Sequence, residues 1–434
     1  MKNKYGRIAI AALFMTVLAG GYLAVSQDGK VSPGELYAPS REPDRILLSW
    51  TGDPATTQNV TWRTDASVDS AVAQIAPAGD GPDFTKQARK APATSEFLEA
   101  GLGPAKYHTA RFTGLTPKTL YVYRVGDGGA WSEWNQFRTA SAEPDPLTFL
   151  YVGDAQNDIY SMWSRVIRTG FSDAPRANFI LHAGDLVNRG NADAEWGEWF
   201  RAAGWINRSI PSLATPGNHE YPRSGGGRTL SMHWRPQFAL PENGVAGLEE
   251  SCYYIDVQGV RIVSLNSNER RTEQGEWLDE VLRDNPNKWT ILAFHHPVYS
   301  SARGRDNKKL REQWQPVFDK HHVDLVLQGH DHTYARSNLV SGVNAQSGDS
   351  GTVYVVSVSG PKMYEVDTNP WMARVAERTQ LYQVIRVDGD RLEYEARTAR
   401  GILYDAFELR KQDGKPNELV NRIPDTPARL DVSG

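Results

Sequence analysis

The sequence predicts a multidomain protein, an all-β sandwich followed by an α/β domain, and three observations carry this. The chain has 434 residues, more than one hydrophobic core holds, since single cores stop growing beyond about 250–300 residues. Residues 43–140 read as short alternating segments separated by turn residues, the sequence form of an antiparallel sandwich. Past Glu143-Pro144-Asp145-Pro146 the apolar β runs end in Gly-Asp, Gly-Asn-His or Gly-His and alternate with helical stretches, as in α/β domains.

Composition narrows the class. Hydrophobic residues make up 40% and charged residues 23% of the chain, so it buries real cores and is not disordered. A net charge of −4 argues against a nucleic-acid partner, which calls for a basic face. The single cysteine, Cys252, excludes an intrachain disulfide and a Cys-based metal site, and reads as a small buried hydrophobe.

At the N-terminus Lys2, Lys4 and Arg7 precede an uncharged, mostly apolar run over 8–26 that ends in Ala24-Val25-Ser26. This pattern predicts an export signal over 1–26. The run approaches the ~20 residues of a membrane span, so an uncleaved anchor is the competing outcome, with Gly20-Gly21 favouring cleavage. In both readings the remainder lies outside the cytoplasmic membrane, periplasmic or secreted, with no stable membrane partner once the signal is removed.

Predicted strands of the sandwich are 45–51, 59–63, 71–75, 107–112, 120–125 and 135–139. Leu115-Thr116-Pro117 followed by Leu120-Tyr121-Val122-Tyr123 is similar to the late strand of a fibronectin type III domain, in which a Tyr ties the corner, so Tyr121 is read as structural. In the α/β part, spanning 147–410, strands are predicted at 147–152, 179–183, 261–265, 289–294, 325–327 and 353–358. Helices are predicted at 159–168, 192–203, 275–283 and 309–320, the third from the apolar face of Trp277, Leu278, Val281 and Leu282. Strand-like alternation returns over 381–409, and the Pro-containing tail 411–434 is expected to be loosely held.

Five loops trailing these β runs supply metal-ligand residue types: Gly153-Asp154-Ala155-Gln156, Gly184-Asp185-Leu186-Val187-Asn188, Gly217-Asn218-His219-Glu220, Phe294-His295-His296-Pro297 and Gly329-His330-Asp331-His332. Loops at the carboxyl ends of strands converge on one crevice. The glycine preceding the acidic, Asn or His residue in four of the five is expected to let the backbone turn sharply. A lone Asp after a strand is usually a turn former, so the weight rests on the set as a whole.

This ordered set resembles the calcineurin-like metallophosphoesterase superfamily, and with the preceding sandwich its purple acid phosphatase branch. The resemblance implies a central β-sandwich flanked by helices and two metal ions, Fe, Mn or Zn. It implies that Asp154 and His332 hold the first ion, that Asp185 bridges, and that Asn218, His295 and His330 hold the second. His219 would act on the substrate oxygen as phosphate ligand or general acid, or support Asn218. The implied activity is hydrolysis of a small phosphate ester by a dinuclear-metal-activated hydroxide, as a phosphomonoesterase, with a phosphodiesterase or an exported binding protein on a degenerate scaffold as alternatives.

Two positions depart from the family. Asn188 stands where purple acid phosphatases carry the Tyr whose phenolate gives their colour, and Gln156 stands where many other members have a metal-binding His. Either could complete the first site. Arg305, like Arg303, lies on a loop beyond His295 and could steer phosphate, as could Arg223 and Arg228 after the third motif. His108, His182, His233, His296, His321 and His322 are read as structural, and the oligomeric state is not readable from the sequence.

Overall fold

The computed structural model describes residues 32–430; the export-signal segment 1–26 lies outside them. Among the described residues no helix is long and apolar enough to cross a membrane. Residues 32–38 belong to a separate unit, a short helix α1 (Pro33–Tyr37) started by a Ser32–Glu35 capping box.

The sandwich holds strands β1 (Asp44–Ser49), β2 (Gln58–Asp65), β3 (Val72–Pro77), β4 (Arg89–Ala100), β5 (Gly103–Phe112), β6 (Leu120–Gly126) and β7 (Asn135–Arg138). Arg89–Pro92 of β4 pair with β3, and the rest of β4 pairs with β5, so one strand closes both layers. Alternation sends Ile46, Leu48, Val60 and Trp62 into the sandwich core. The opposite face of β1 gives Leu47, and Trp50 just beyond it, to the core of the following domain. Tyr121 Oη accepts the Thr116 N–H at 2.9 Å, tying the turn before β6.

The second part is built from two facing sheets. In the first, parallel strands β8 (Leu147–Val152), β9 (Phe179–His182) and β10 (Ser212–Ala214) are continued on the other side of β8 by an antiparallel meander. Between β10 and the second sheet come a two-stranded hairpin, β11 (Arg223–Ser224) and β12 (Gly227–Arg228), and then β13 (Tyr253–Val257). The second sheet runs from β13 through parallel β14 (Val260–Ser264), β15 (Trp289–Phe294), β16 (Leu325–Gln328) and, beyond β17 (Tyr334–Ser341) and β18 (Gln346–Ser347) in the chain, β19 (Thr352–Val356). An edge strand, β20 (Met372–Ala376), pairs with β17, and the meander of the first sheet is β21 (Leu381–Asp388), β22 (Arg391–Thr398), β23 (Leu403–Gln412) and β24 (Lys415–Asn421).

Helices α2 (Ser164–Asp173), α3 (Asp193–Ala203), α4 (Trp234–Gln237), α5 (Arg271–Arg283) and α6 (Lys308–Lys320) complete the domain. Strand alternation assigns the layers: Ile291, Ala293, Leu325 and Leu327 face the first sheet, while Leu292, Phe294 and Val326 pack on Leu278 of α5 and Trp314 and Phe318 of α6. The result is a β-sandwich flanked by helices. Between the sheets Arg336 of β17 is clamped to Asp405 of β23 at 2.8 Å, both fully buried.

The structure corrects the reading in three respects. Strands β4, β10, β13, β17 and β20 and the two-residue β11, β12 and β18 were not foreseen. The helix expected over 159–168 begins as a wide π turn, Ile159–Trp163, and becomes regular only at Ser164. The tail beyond Lys411 forms β24, paired with β23 and held by Lys411 and Asn417 on the buried Asp324.

Candidate metal centre

The five loops leave the carboxyl ends of β8, β9, β10, β15 and β16, so both sheets feed one cluster. Ligand atoms of Asp185, His295 and His330 all lie within 4.8 Å of one another, as do those of Asp154, Asp185 and His332. Asp185 belongs to both groups. Asn218 joins the first, its Oδ1 3.2 Å from His295 Nε2.

Backbone carbonyls aim the imidazoles. His295 Nδ1 donates to the Ala183 carbonyl at 2.9 Å and His332 Nδ1 to the Lys362 carbonyl at 3.1 Å, which leaves each Nε2 facing the cluster. His330 Nδ1 lies 3.1 Å from His295 Nε2, a contact in which only one nitrogen can carry the proton.

Two buried acids that the sequence reading passed over shape the loops. Glu220 accepts the N–H groups of Asp185, Leu186, Val187 and Gly217 at 2.8–3.2 Å, joining the second and third loops. Asp331 accepts those of Ser301 and Ala302 at 2.7 and 3.2 Å, fixing the segment that leads to Arg305.

The backbone is strained here. Asp154, Asp185, His330 and His332 have φ of 51°, 50°, 73° and 46°, a left-handed region that side chains seldom adopt and that clusters at functional sites. Of the four loop glycines only Gly184 is left-handed, so the expected reason for them holds at one position. The others allow close approach: a Cβ on Gly217 would sit 2.1 Å from Asp185 Oδ1, and one on Gly329 2.3 Å from Asp154 Oδ2.

Electrostatics are those of a dry cluster of donors. Burial holds the Asp154 carboxyl well above the usual range, His295 opposing it only in part. At Asp185 burial is outweighed by the adjacent His295, which brings the carboxyl down; His295 itself rises to about 9, burial being overcome by Asp185. Burial, aided by the charge of Lys362, lowers His332 to about 3, and burial with His295 lowers His330. Glu220 is pushed up to about 7 by burial and then by Asp185.

The residues fit metal on an observation independent of spacing. Gln156 is fully buried, its Nε2 lies 2.9 Å from His332 Nε2 and 3.3 Å from Asp185 Oδ2, and its Oε1 meets no donor. Turning the amide by 180° exchanges these two atoms and sets a carbonyl oxygen on the His332 side. Carboxylate, imidazole and amide oxygen together suit Fe, Mn or Zn.

The remaining residues divide. His219 donates its backbone N–H to Asp185 Oδ1 at 2.9 Å and Nδ1–H to the Asn188 carbonyl at 2.5 Å, leaving Nε2 3.9 Å from Asp185 Oδ2 on a side chain 25% exposed. The Asn188 side chain instead accepts from Asn157 at 3.2 Å. Arg305 reaches the His330 carbonyl at 3.3 Å and Asp331 at 3.5 Å, whereas Arg303 pairs with Glu365 at the surface. Arg228 donates to the Asn218 and Tyr221 carbonyls at 3.2 Å, and Arg223 is exposed. His296 bonds Ser267 and lies against the His330 ring; His108, His182 and His233 are buried away from the cluster. Lys362 and Tyr364, which no motif flagged, border the His332 side.

A sandwich feeding a two-sheet domain, with one carboxylate shared by two donor groups, defines the metallophosphoesterase class. Residues 43–139 match the family described as "Purple acid Phosphatase, N-terminal domain", and residues 147–334 match "Calcineurin-like phosphoesterase". The chain thus carries a calcineurin-like phosphoesterase domain preceded by a purple acid phosphatase N-terminal domain. Human "Acid phosphatase type 7" is 28% identical, over 70% of this chain and 72% of its own length. Arabidopsis thaliana "Purple acid phosphatase 15" is 27% identical, over 58% of this chain and 53% of its own. A Mycobacterium tuberculosis protein, Rv2577, is 29% identical over 54% of this chain, and this chain spans about half the length of it and of the Arabidopsis protein (51% and 53%). The yellow lupin purple acid phosphatase PPD1 shares the fold, with a TM-score of 0.73 and 19% identity over 85% of this chain and 74% of its own.

Proposed function

We propose that the chain hydrolyses phosphate monoesters at a dinuclear metal centre. In this reading Asp154, Gln156, Asp185 and His332 hold the first ion, and Asp185, Asn218, His295 and His330 the second. The observation that carries it is the membership of Asp185 in both donor groups. Bound there, Fe, Mn or Zn ions supply Lewis-acid polarisation of the phosphate and an activated water.

The chain's own residues do the rest. The Ala183 and Lys362 carbonyls fix which nitrogen of His295 and His332 is offered, so the donors are set before any ligand arrives. Glu220 holds the bridging loop rigid through four backbone N–H groups. His219, oriented through Nδ1 by the Asn188 carbonyl, presents Nε2 at the opening, where it holds a proton for the leaving oxygen or binds the phosphate. Asn188 thus acts beside the substrate by orienting His219. Export rests on the Lys2, Lys4, Arg7 and 8–26 pattern, and N-terminal sequencing of the mature protein tests it.

The experiment is metal analysis together with turnover on a panel of mono- and diesters. Asp185→Ala is expected to lose both ions and all activity, because one carboxylate serves both. His332→Ala and His295→Ala are each expected to lose one ion. Two ions and near-normal turnover in Asp185→Ala would refute the site. Preference for diesters would move the substrate class and leave the chemistry in place.

A further inference from the structure

The three imidazoles of the cluster are not held alike. A histidine ring turns easily about its last side-chain torsion, whose preference is broad, so a ligand histidine needs a further contact to aim it. His295 and His332 have one, each giving Nδ1–H to a backbone carbonyl, at 2.9 and 3.1 Å. His330 does not. Its Nδ1 is the nitrogen turned to the cluster, 3.1 Å from His295 Nε2, and among the described residues its Nε2 meets no carbonyl or carboxylate. The His330 backbone is pinned, its N–H 2.9 Å from both oxygens of Asp154, but that contact leaves the ring free to turn.

The ring of His296 fills this gap. It lies against the His330 ring, the centroids 4.3 Å apart at 50°, and edge-on to His295 at 5.1 Å and 82°. It thus touches both histidines proposed for the second ion, while the ring that His332 meets is that of Tyr364. A prop must itself be fixed, and one hydroxyl fixes this one twice. Ser267 Oγ, fully buried, accepts the His296 N–H at 3.0 Å and lies 2.8 Å from Nδ1 of the same residue. The Ser267 carbonyl accepts Nε–H of Arg271, the first residue of α5, at 2.8 Å, and the His296 carbonyl accepts Nε2–H of Gln328, the last residue of β16, at 3.3 Å. Pro297 follows, its own ring holding the backbone turn.

We infer that His296, held by Ser267, is the positioning residue of the second metal place and aims Nδ1 of His330 by ring contact. This rests on the dinuclear reading proposed above and makes its two places unequal. At the first, the imidazole is aimed by a backbone carbonyl, which no substitution removes. At the second, one of two imidazoles depends on a side chain.

The test is zinc calorimetry on His332→Ala, which keeps the second place, and on His295→Ala, which keeps the first. Adding His296→Ala is expected to weaken zinc roughly tenfold or more in the His332→Ala background and less than about threefold in the His295→Ala background. His296→Phe, which keeps a ring against His330, should recover part of the loss, and Ser267→Ala should show a smaller loss at the same place. Equal weakening at both places, or none at either, overturns the assignment and leaves His296 a packing residue. Histidine-selective NMR of the zinc-free protein reads the ring directly: His330 should give one set of ring signals with a cross-peak to His296, and broadened or doubled signals in His296→Ala. If the wild type takes up no zinc while the His330 ring still loses its single orientation without His296, the dinuclear reading falls and the prop stands. A His330 ring indifferent to His296→Ala overturns the prop by itself.

Discussion

Burial leaves the Gln156 amide with one atom that meets no donor and another 2.9 Å from a histidine nitrogen. An orphaned polar atom in a dry site costs about 1–3 kcal/mol, so its persistence calls for a partner. A first ion held partly by a neutral amide oxygen, with Asn188 in place of a phenolate, should bind divalent ions and leave the iron-loaded protein pale. Gln156→His should tighten that ion, imidazole being the stronger donor, and Gln156→Ala should loosen it, each by roughly tenfold. Metal retained after dialysis against a graded chelator measures this. Unchanged retention in both variants, or an intense visible band in the iron form, would remove Gln156 from the site. The five motifs were legible because carboxylate, imidazole and amide ligands have few substitutes. Lys362 and Tyr364 were not, since they arrive on a loop whose spacing carries no signature. The part of Gly217 and Gly329 was misread because close approach of side chains is a tertiary fact that chain order does not reveal.

At the scale of elements, the long connection from α4 to β13 is pinned by Glu250, whose carbonyl accepts Trp234 Nε1–H at 3.0 Å and whose carboxyl accepts the Leu240 N–H at 3.3 Å. Burial, with Glu242 and Glu96 adding to it, raises this carboxyl to about 8 against an ordinary 4.5. A folded-state value above the unfolded one means that the folded chain binds the extra proton. The stabilisation is then complete below about pH 4.5 and is lost as pH rises through about 8. Glu250→Gln keeps the acceptor and cannot ionise. Its melting temperature should match the wild type near pH 4.5 and exceed it by several degrees at pH 8.5, because ionising a carboxyl held that far above its ordinary value costs the folded state on the order of a few kcal/mol. A constant difference between the two pH values would mean that Glu250 titrates normally. Strands read well where the apolar run was unbroken, as in β15, buried along its whole length. β4 escaped because its pattern is largely exposed and contains Pro92, and β24 because Pro416 and polar neighbours mask an edge strand that only pairing with β23 creates.

For the whole molecule, the seam between sandwich and catalytic sheets is polar and buried. Arg45 Nη1 lies 2.6 Å from Asp193 Oδ1, with both side chains at most 2% exposed, and Arg63 Nη1 lies 3.6 Å from Asp193 Oδ2. Arg45 also donates to the Asp193 carbonyl at 3.0 Å, Thr61 Oγ1 to the Gln237 carbonyl and Ser49 Oγ to the Ala239 carbonyl, both at 2.7 Å. Apolar contact runs beside these bonds, for Trp50 packs edge-on against Phe179 of β9, the strand that leads to Asp185. Removing one member of a buried pair strands the other charge away from water, at a cost of about 3–5 kcal/mol. Asp193→Ala should therefore lower the denaturation midpoint far more than Arg45→Met with Asp193→Leu together, which removes the opposite charges in step. A chain beginning at Asp145 keeps every proposed ligand but exposes the surface that Leu47 and Trp50 cover, so it should melt earlier and aggregate. Urea titration of the variants and light scattering of the truncated chain measure both. If the truncated chain kept its melting temperature and full turnover, the sandwich would be a tethered module whose contacts contribute nothing to the metal centre, and the strand from Phe179 to Asp185 would have to hold its course without Trp50.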